Sequence, residues 1–137
     1  MYAGRRIRGP EDAAHLVRQF LADADREVFL AVCLNTKNEP TAISTVSVGT
    51  LNSSAVHPRE LFKFAILSSA AGVILAHNHP SGDVEPSDED CQVTGRLVEA
   101  GKLLGIEVLD HLVVAPGGKY VSLKERGLLG GGTSSER

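Results

Sequence analysis

Ala76-His77-Asn78-His79-Pro80-Ser81-Gly82-Asp83-Val84-Glu85-Pro86-Ser87-Asp88-Glu89-Asp90 sets two histidines, a turn and an acidic helix start in direct succession. The apolar run Ala70-Ala71-Gly72-Val73-Ile74-Leu75-Ala76 before it has the length and branched content of a buried strand. His77 and His79 are therefore expected at the C-terminal end of that strand. Side chains alternate across a strand, so residues i and i+2 share a face and both imidazoles can point at one place. Pro80 and the Ser81-Gly82-Asp83 cluster end the strand, and Ser87 reads as the N-cap of a helix opening with Asp88-Glu89-Asp90. In that first turn the helix dipole and free amides favour an ionised carboxylate, which makes Asp90 the third member of a candidate His77, His79, Asp90 metal site. Two imidazoles and one carboxylate leave a fourth position on a tetrahedral zinc ion open, the layout of catalytic rather than structural zinc.

Ordinary readings stand beside this one. A buried histidine is commonly a hydrogen-bonded core residue, and Ser87-x-x-Asp90 is also a plain helix-start signature. Capping and function are compatible. The contiguous letters His-Asn-His invite comparison with a nuclease family, but there the residues are dispersed along a hairpin and helix, so the reading carries little weight.

His77-x-His79, seven residues, Ser87, two residues and Asp90 resemble the metal-binding signature of the JAB/MPN+ (JAMM) metallopeptidase-like superfamily. The wording is closer still to its bacterial RadC-like JAB branch: Gly49-Thr50-Leu51-Asn52, His57-Pro58-Arg59-Glu60, Ala76-His77-Asn78-His79-Pro80-Ser81-Gly82-Asp83 and Leu109-Asp110-His111-Leu112-Val113-Val114. The resemblance runs from about Glu27 to Leu129. It implies that His77, His79 and Asp90 are zinc ligands, that Ser87 helps hold a tetrahedral intermediate, and that Glu27 is the general base. It further implies hydrolysis of an amide or isopeptide bond in a peptide or protein substrate, with the DNA-repair association of the branch's name. Two departures bear on these expectations. Asn78 stands where the eukaryotic deubiquitinating members usually carry Ser or Thr, so isopeptide specificity is not carried over. The chain has only a short lead-in where RadC-like proteins usually carry a helical, DNA-binding type of extension. The alternative expectation is a non-enzymatic zinc-binding module of a DNA-repair or mobile-element system. Metal-dependent phosphodiester cleavage would want more carboxylates or a second metal.

The 137 residues, 42% of them hydrophobic, suit one compact domain over residues 10–129. A basic arm over residues 1–9 and a flexible Gly/Ser-rich tail over residues 130–137 flank it. A formal charge of -3 gives no overall basic field for nucleic acid, and the three arginines of the arm are a weak footprint. Cys33 and Cys91 are too few for a disulfide framework, so reduced thiols and a cytoplasmic location are expected. No apolar run approaches membrane-spanning length, and no signal peptide is read at the start.

Pro10-Glu11-Asp12 opens a helix with Leu16, Val17, Phe20 and Leu21 on one face, and His15 beside that face reads as structural or exposed. Glu27 to Leu34 is nearly continuous in apolar residues, a strand covered on both faces, and Thr41 to Val48 completes an antiparallel hairpin. If the strand headed by Glu27 runs antiparallel to the one ending in the histidines, Glu27 lies at their edge of the sheet. A polar loop over residues 49–54 leads to a helix starting at Pro58, with Leu61, Phe62, Ala65 and Ile66 able to pack on the sheet. His57 before it reads as a loop or capping residue. The helix after Ser87 carries Val93, Leu97, Val98, Leu103 and Leu104 and stops at Gly105. A strand over residues 106–114, a Pro116-Gly117-Gly118 turn and a short strand over residues 119–123 follow. Asp110 and His111, being adjacent, face opposite sides; His111 is read as support for the site or as a partner of a core polar group. The expected fold class is α+β with a mixed, largely antiparallel sheet flanked by helices, matching the JAB/MPN (cytidine-deaminase-like) architecture that the resemblance implies.

Overall fold

The computed structural model describes residues 6–21, 24–49 and 56–129. Most of the expected basic arm, residues 50–54 of the polar loop with the residue after it, and the tail over residues 130–137 lie outside them. The described elements run α1 (Pro10–Leu21), β1 (Val28–Leu34), β2 (Pro40–Val48), α2 (Pro58–Leu67), β3 (Gly72–Asn78), α3 (Asp88–Leu104), β4 (Glu107–Val114) and β5 (Tyr120–Ser122), with a short 3-10 turn at Pro116–Gly118. Five strands form an open sheet in the order β2-β1-β3-β4-β5. Only the β3-β4 pairing is parallel among the described strands. A parallel pair needs a long crossover, and α3 supplies it.

Alternation divides the inner strands between two cores. Phe29, Ala31, Cys33, Val73 and Leu75 pack against Leu61 and Phe62 of α2 and Val93 and Leu97 of α3. Leu30, Val32, Leu34, Ile74, Ala76, Leu112 and Val114 pack against Ala13, Ala14, Val17 and Leu21 of α1. β1 and β3, covered on both faces, are accordingly apolar along almost their whole length, as the sequence indicates. The result is the expected α+β architecture, with a mostly antiparallel sheet and helices on both faces.

Four of the expected packing residues are exposed. Phe20 sits at the margin of the α1 stripe and Ile66 points away from the Leu61, Phe62, Ala65 face of α2; both are about half exposed. On α3 the buried stripe ends at Gly101, and the last turn carries Leu103 and Leu104 beyond the sheet. The helical period was right, but a stripe is buried only as far as its partner surface extends.

One irregularity matters for the site. The β3-β4 register passes from Val73 opposite Val108 to Ile74 opposite Asp110, leaving Leu109 as an extra residue on β4. Such a bulge inverts the alternation that follows it. Val108 and His111, three residues apart, therefore lie on the same side of the sheet, and His111 comes opposite Leu75 on the α2-α3 side.

Candidate metal centre

β3 extends to Asn78, two residues beyond the expected Ala76, so that His77 lies inside the strand and His79 just past it. Their alternation brings the rings together as expected, with His77 Nε2 3.0 Å from His79 Nε2. Asp90 reaches both from the start of α3: Oδ1 lies 3.3 Å from His77 Nε2 and Oδ2 3.4 Å from His79 Nε2. His77 and Asp90 are buried and His79 is partly open to solvent, so the trio has one accessible side. The three residues form a cluster that could hold a metal ion.

The spacing can be compared with what an ion would require. Ligand atoms about 2.0–2.1 Å from a tetrahedral centre lie about 3.3–3.4 Å from one another, the edge of the tetrahedron being about 1.6 times the bond length. The two imidazole nitrogens, at 3.0 Å, stand slightly closer than that edge, and Asp90 approaches them with a different oxygen each, so the three side chains converge on a space of the size one ion takes.

Local structure fixes each member. The His79 amide donates to the Val114 carbonyl at 2.8 Å, and its ring Nδ1 lies 2.6 Å from the Asp83 carbonyl oxygen. A carbonyl can only accept, so Nδ1 carries the proton and Nε2 is turned to the cluster. Gly82, at φ +98°, closes the intervening turn in a conformation that L side chains rarely adopt. Ser87 is the N-cap of α3: its Oγ accepts from the Asp90 amide at 3.0 Å, and its own amide donates to Asp90 Oδ2 at 2.8 Å. The capping reading of Ser87 is therefore realised, and the same reciprocal pair holds the Asp90 carboxylate in place.

Electrostatics agree with this geometry. Burial opposes ionisation of Asp90, but the adjoining His77 and His79 imidazoles and the Ser87 amide together outweigh it and hold the carboxyl well below the usual carboxylate range. The hydrogen bond to Asp90 raises the His79 pKa against the opposing effect of burial. His111 is driven well below the usual histidine range, chiefly by complete burial and then by neighbouring His77.

Glu27 immediately precedes β1, which runs antiparallel to β3 with Phe29 opposite His77. Continuing that register by two residues sets Glu27 across from His79, at the sheet edge where the cluster lies. Its charge is among the influences that raise the His79 pKa. His57 is exposed ahead of α2 and makes no side-chain capping bond, and Cys33 and Cys91 are free thiols. Burial pushes the Cys33 thiol up to about 11. Among the described residues no helix is long and apolar enough to cross a membrane.

Sequence reasoning missed Thr94. Its Oγ1 donates to the Asp90 carbonyl at 2.8 Å and lies in short contact with His111 Nδ1, while His111 Nε2 lies 3.0 Å from His77 Nδ1. The available signal was its spacing, one helical turn after Asp90 and hence on the same face of α3.

The RadC-like JAB domain family model matches residues 7–128. Among curated proteins, the chain is 59% identical over 123 residues to a UPF0758 protein of Desulforamulus reducens and 60% identical over 123 residues to one of Rubrobacter xylanophilus. A UPF0758 protein of Methanosarcina barkeri is 49% identical over 125 residues. These alignments cover 90%, 90% and 91% of this chain but 54%, 53% and 54% of the respective relatives, so the chain spans about half the length of the proteins it matches. With the family model matched over nearly its whole length, and a cluster at the histidines and aspartate that could hold a metal, the chain belongs to the RadC-like JAB domain family.

Proposed function

We propose that this chain is a zinc-dependent hydrolase of the JAMM metallopeptidase type that cleaves an amide or isopeptide bond in a peptide or protein substrate. The observation that carries the reading is the convergence of His77 Nε2, His79 Nε2 and the Asp90 carboxylate, the two nitrogens 3.0 Å apart, Oδ1 3.3 Å from one and Oδ2 3.4 Å from the other. The mixture of two imidazoles and one carboxylate suits zinc and leaves room for solvent. Zinc, when bound, would supply Lewis acidity and lower the pKa of water toward about 7.

The protein's own groups would do the rest. Asp90, held ionised, offsets the cation's charge, and His77 and His79 present Nε2 to it. Glu27, at the His79 edge, accepts a proton from the attacking water and returns it to the leaving amine. Ser87 Oγ already accepts from the Asp90 amide, which leaves the hydroxyl proton free to donate to the substrate oxygen as it becomes negative. Loss of one such donor costs about 3 kcal/mol of barrier in comparable sites. Two unpaired thiols fit a reducing, cytoplasmic setting. A DNA-repair association rests on the family resemblance alone.

The test has two arms. Metal analysis of the purified chain should find one zinc per chain in the wild type and in Glu27→Gln, and loss of zinc in His77→Ala and His79→Ala. Hydrolysis of a panel of peptides and isopeptide-linked conjugates should disappear in Glu27→Gln. A wild type without metal at neutral pH would refute the centre, and a Glu27→Gln variant with full turnover would refute the assigned base. Zinc binding with no hydrolysis of any substrate would support the binding-module alternative.

A further inference from the structure

We propose that Thr94 and His111 are positioning residues: a one-way hydrogen-bond chain through them fixes the tautomer of His77 and ties it to the backbone of Asp90. The inference rests on the reading that His77, His79 and Asp90 hold zinc, and it concerns two residues outside that set. His77 has two ring nitrogens with different surroundings. Nε2 faces His79 and Asp90, whereas Nδ1 lies 3.0 Å from His111 Nε2. A ligating nitrogen needs a bare lone pair, so the proton must be on Nδ1.

The chain's direction is set at its far end. A threonine hydroxyl has one proton, and Thr94 Oγ1 gives it to the Asp90 carbonyl at 2.8 Å. Towards His111 Nδ1 the same oxygen can then only accept, so His111 carries its proton on Nδ1. The fully buried His111 imidazole touches no carboxylate through either nitrogen, its partners being Thr94 and His77, and it remains neutral. Its Nε2 is therefore an acceptor, and it takes the His77 Nδ1 proton. Each donor in the series meets one acceptor, and His77 Nε2 is left bare where the cluster converges.

The helix and sheet make this possible together. Thr94 lies one turn beyond Asp90 on α3, and the β4 bulge puts His111 on the side of the sheet that α3 covers. The chain thus joins two of the three cluster residues, one on β3 and one on α3, through a third element.

The test uses the full chain with Zn2+ as the probe and two readouts that need no substrate. Competition with a chromophoric chelator should show zinc affinity falling about 10–100-fold in Thr94→Val, and changing less than about 3-fold in Thr94→Ser, which keeps the hydroxyl. Long-range 1H–15N spectra of the metal-free protein should show His77 protonated on Nδ1 in the wild type and Thr94→Ser, and a mixed or Nε2 form in Thr94→Val. Should Thr94→Val not fold, His111→Gln and His111→Leu serve instead. The Gln amide can accept from His77 and donate to Thr94 and should retain affinity, whereas Leu can do neither. Unchanged affinity and tautomer in Thr94→Val, or equal losses in His111→Gln and His111→Leu, would overturn the proposal. A wild type that takes up no zinc but shows the expected tautomers would retain the chain and remove the metal-centre reading, so the two failures are distinguishable.

Discussion

Asn78 Oδ1 accepts the Val28 backbone amide at 2.7 Å, and from the same side chain Nδ2 donates to the Arg26 carbonyl at 3.1 Å. The buried residue between the two histidines thereby grips the backbone on both sides of Glu27 and continues the β1-β3 pairing by a side-chain bridge where the backbone ladder ends. Asn78→Ala would leave an amide and a carbonyl without partners at the mouth of the sheet, a loss of about 1–3 kcal/mol. Denaturant unfolding should show that loss, hydrogen exchange should quicken at the Val28 amide, and zinc content should stay at the wild-type level. Asn78→Asp keeps the acceptor but sets a carboxylate oxygen against the Arg26 carbonyl, so it should be the less stable of the two. Equal stability of Asn78→Ala and wild type would show that solvent replaces the grip at no cost.

Much of this site was legible because its parts are local. The alternation of His77 and His79, the Ser87 cap and the Asp90 carboxylate all follow from rules that span a few residues. Placing Glu27 at the same edge required the antiparallel relation of β1 to β3, which the sequence offers only conditionally. His111 illustrates what a sequence withholds. Its opposition to Asp110 was readable, but the side that each faces depends on Leu109 being an extra residue, and nothing in Ile106 to Val114 marks that bulge. Asp110 has instead a structural place, accepting from Ser122 Oγ at 2.6 Å and from the Lys124 amide at 3.1 Å. The exposed Leu103 and Leu104 show the complementary limit: periodicity identifies a face and cannot say where its partner surface stops.

The depressed His111 pKa predicts a specific dependence of stability on pH. In the metal-free protein the folded imidazole stays neutral below about 6.5, the ordinary histidine value, whereas the unfolded one takes up a proton. Stabilisation by His111 is therefore complete above that value and is lost as pH falls towards the folded pKa, by up to about 1.4 kcal/mol per pH unit. The titratable groups around it are His77 and His79 from the β3 end and Asp90 from α3. The raised pKa of His79 acts in the opposite sense, giving stability below about 6.5 that is lost as pH rises through the folded value, but it is common to wild type and His111→Gln. The stability difference, wild type minus His111→Gln, should accordingly shrink between pH 7 and pH 5 in denaturant titrations with chelator present. A difference independent of pH would mean that His111 titrates in the fold as it does in the unfolded chain.

Ser87 has a structural effect separable from any part in turnover. Removing its hydroxyl in Ser87→Ala leaves the Asp90 amide uncapped and should lower stability by about 1 kcal/mol. The Asp90 carboxylate keeps the Ser87 amide as a donor, so zinc should still bind, though more weakly because the first turn of α3 is less ordered. Zinc competition and thermal unfolding measured on the same preparation check both expectations. Full stability in Ser87→Ala would mean that water replaces the cap.

At its other end, α3 contains a glycine whose reason is packing. A Cβ built on Gly101 collides with the Ile106 carbonyl oxygen and comes within 3.4 Å of the Phe62 ring, while the Gly101 carbonyl itself accepts the Ile106 amide at 3.0 Å. In an exposed helix Gly→Ala stabilises by about 1 kcal/mol through backbone entropy. Here the clash reverses the sign, because relieving it requires moving the α3-β4 connection away from Phe62, and Gly101→Ala should destabilise by about 1–3 kcal/mol. Gly105, at φ +74°, has open space around its Cβ position, so Gly105→Ala should be destabilising for conformational reasons alone. Asp90 lies eleven residues before Gly101, about 16 Å along the helix, so both variants should keep wild-type zinc affinity while unfolding earlier. Chemical denaturation checks both losses, and a stabilised Gly101→Ala would show that the connection yields without strain.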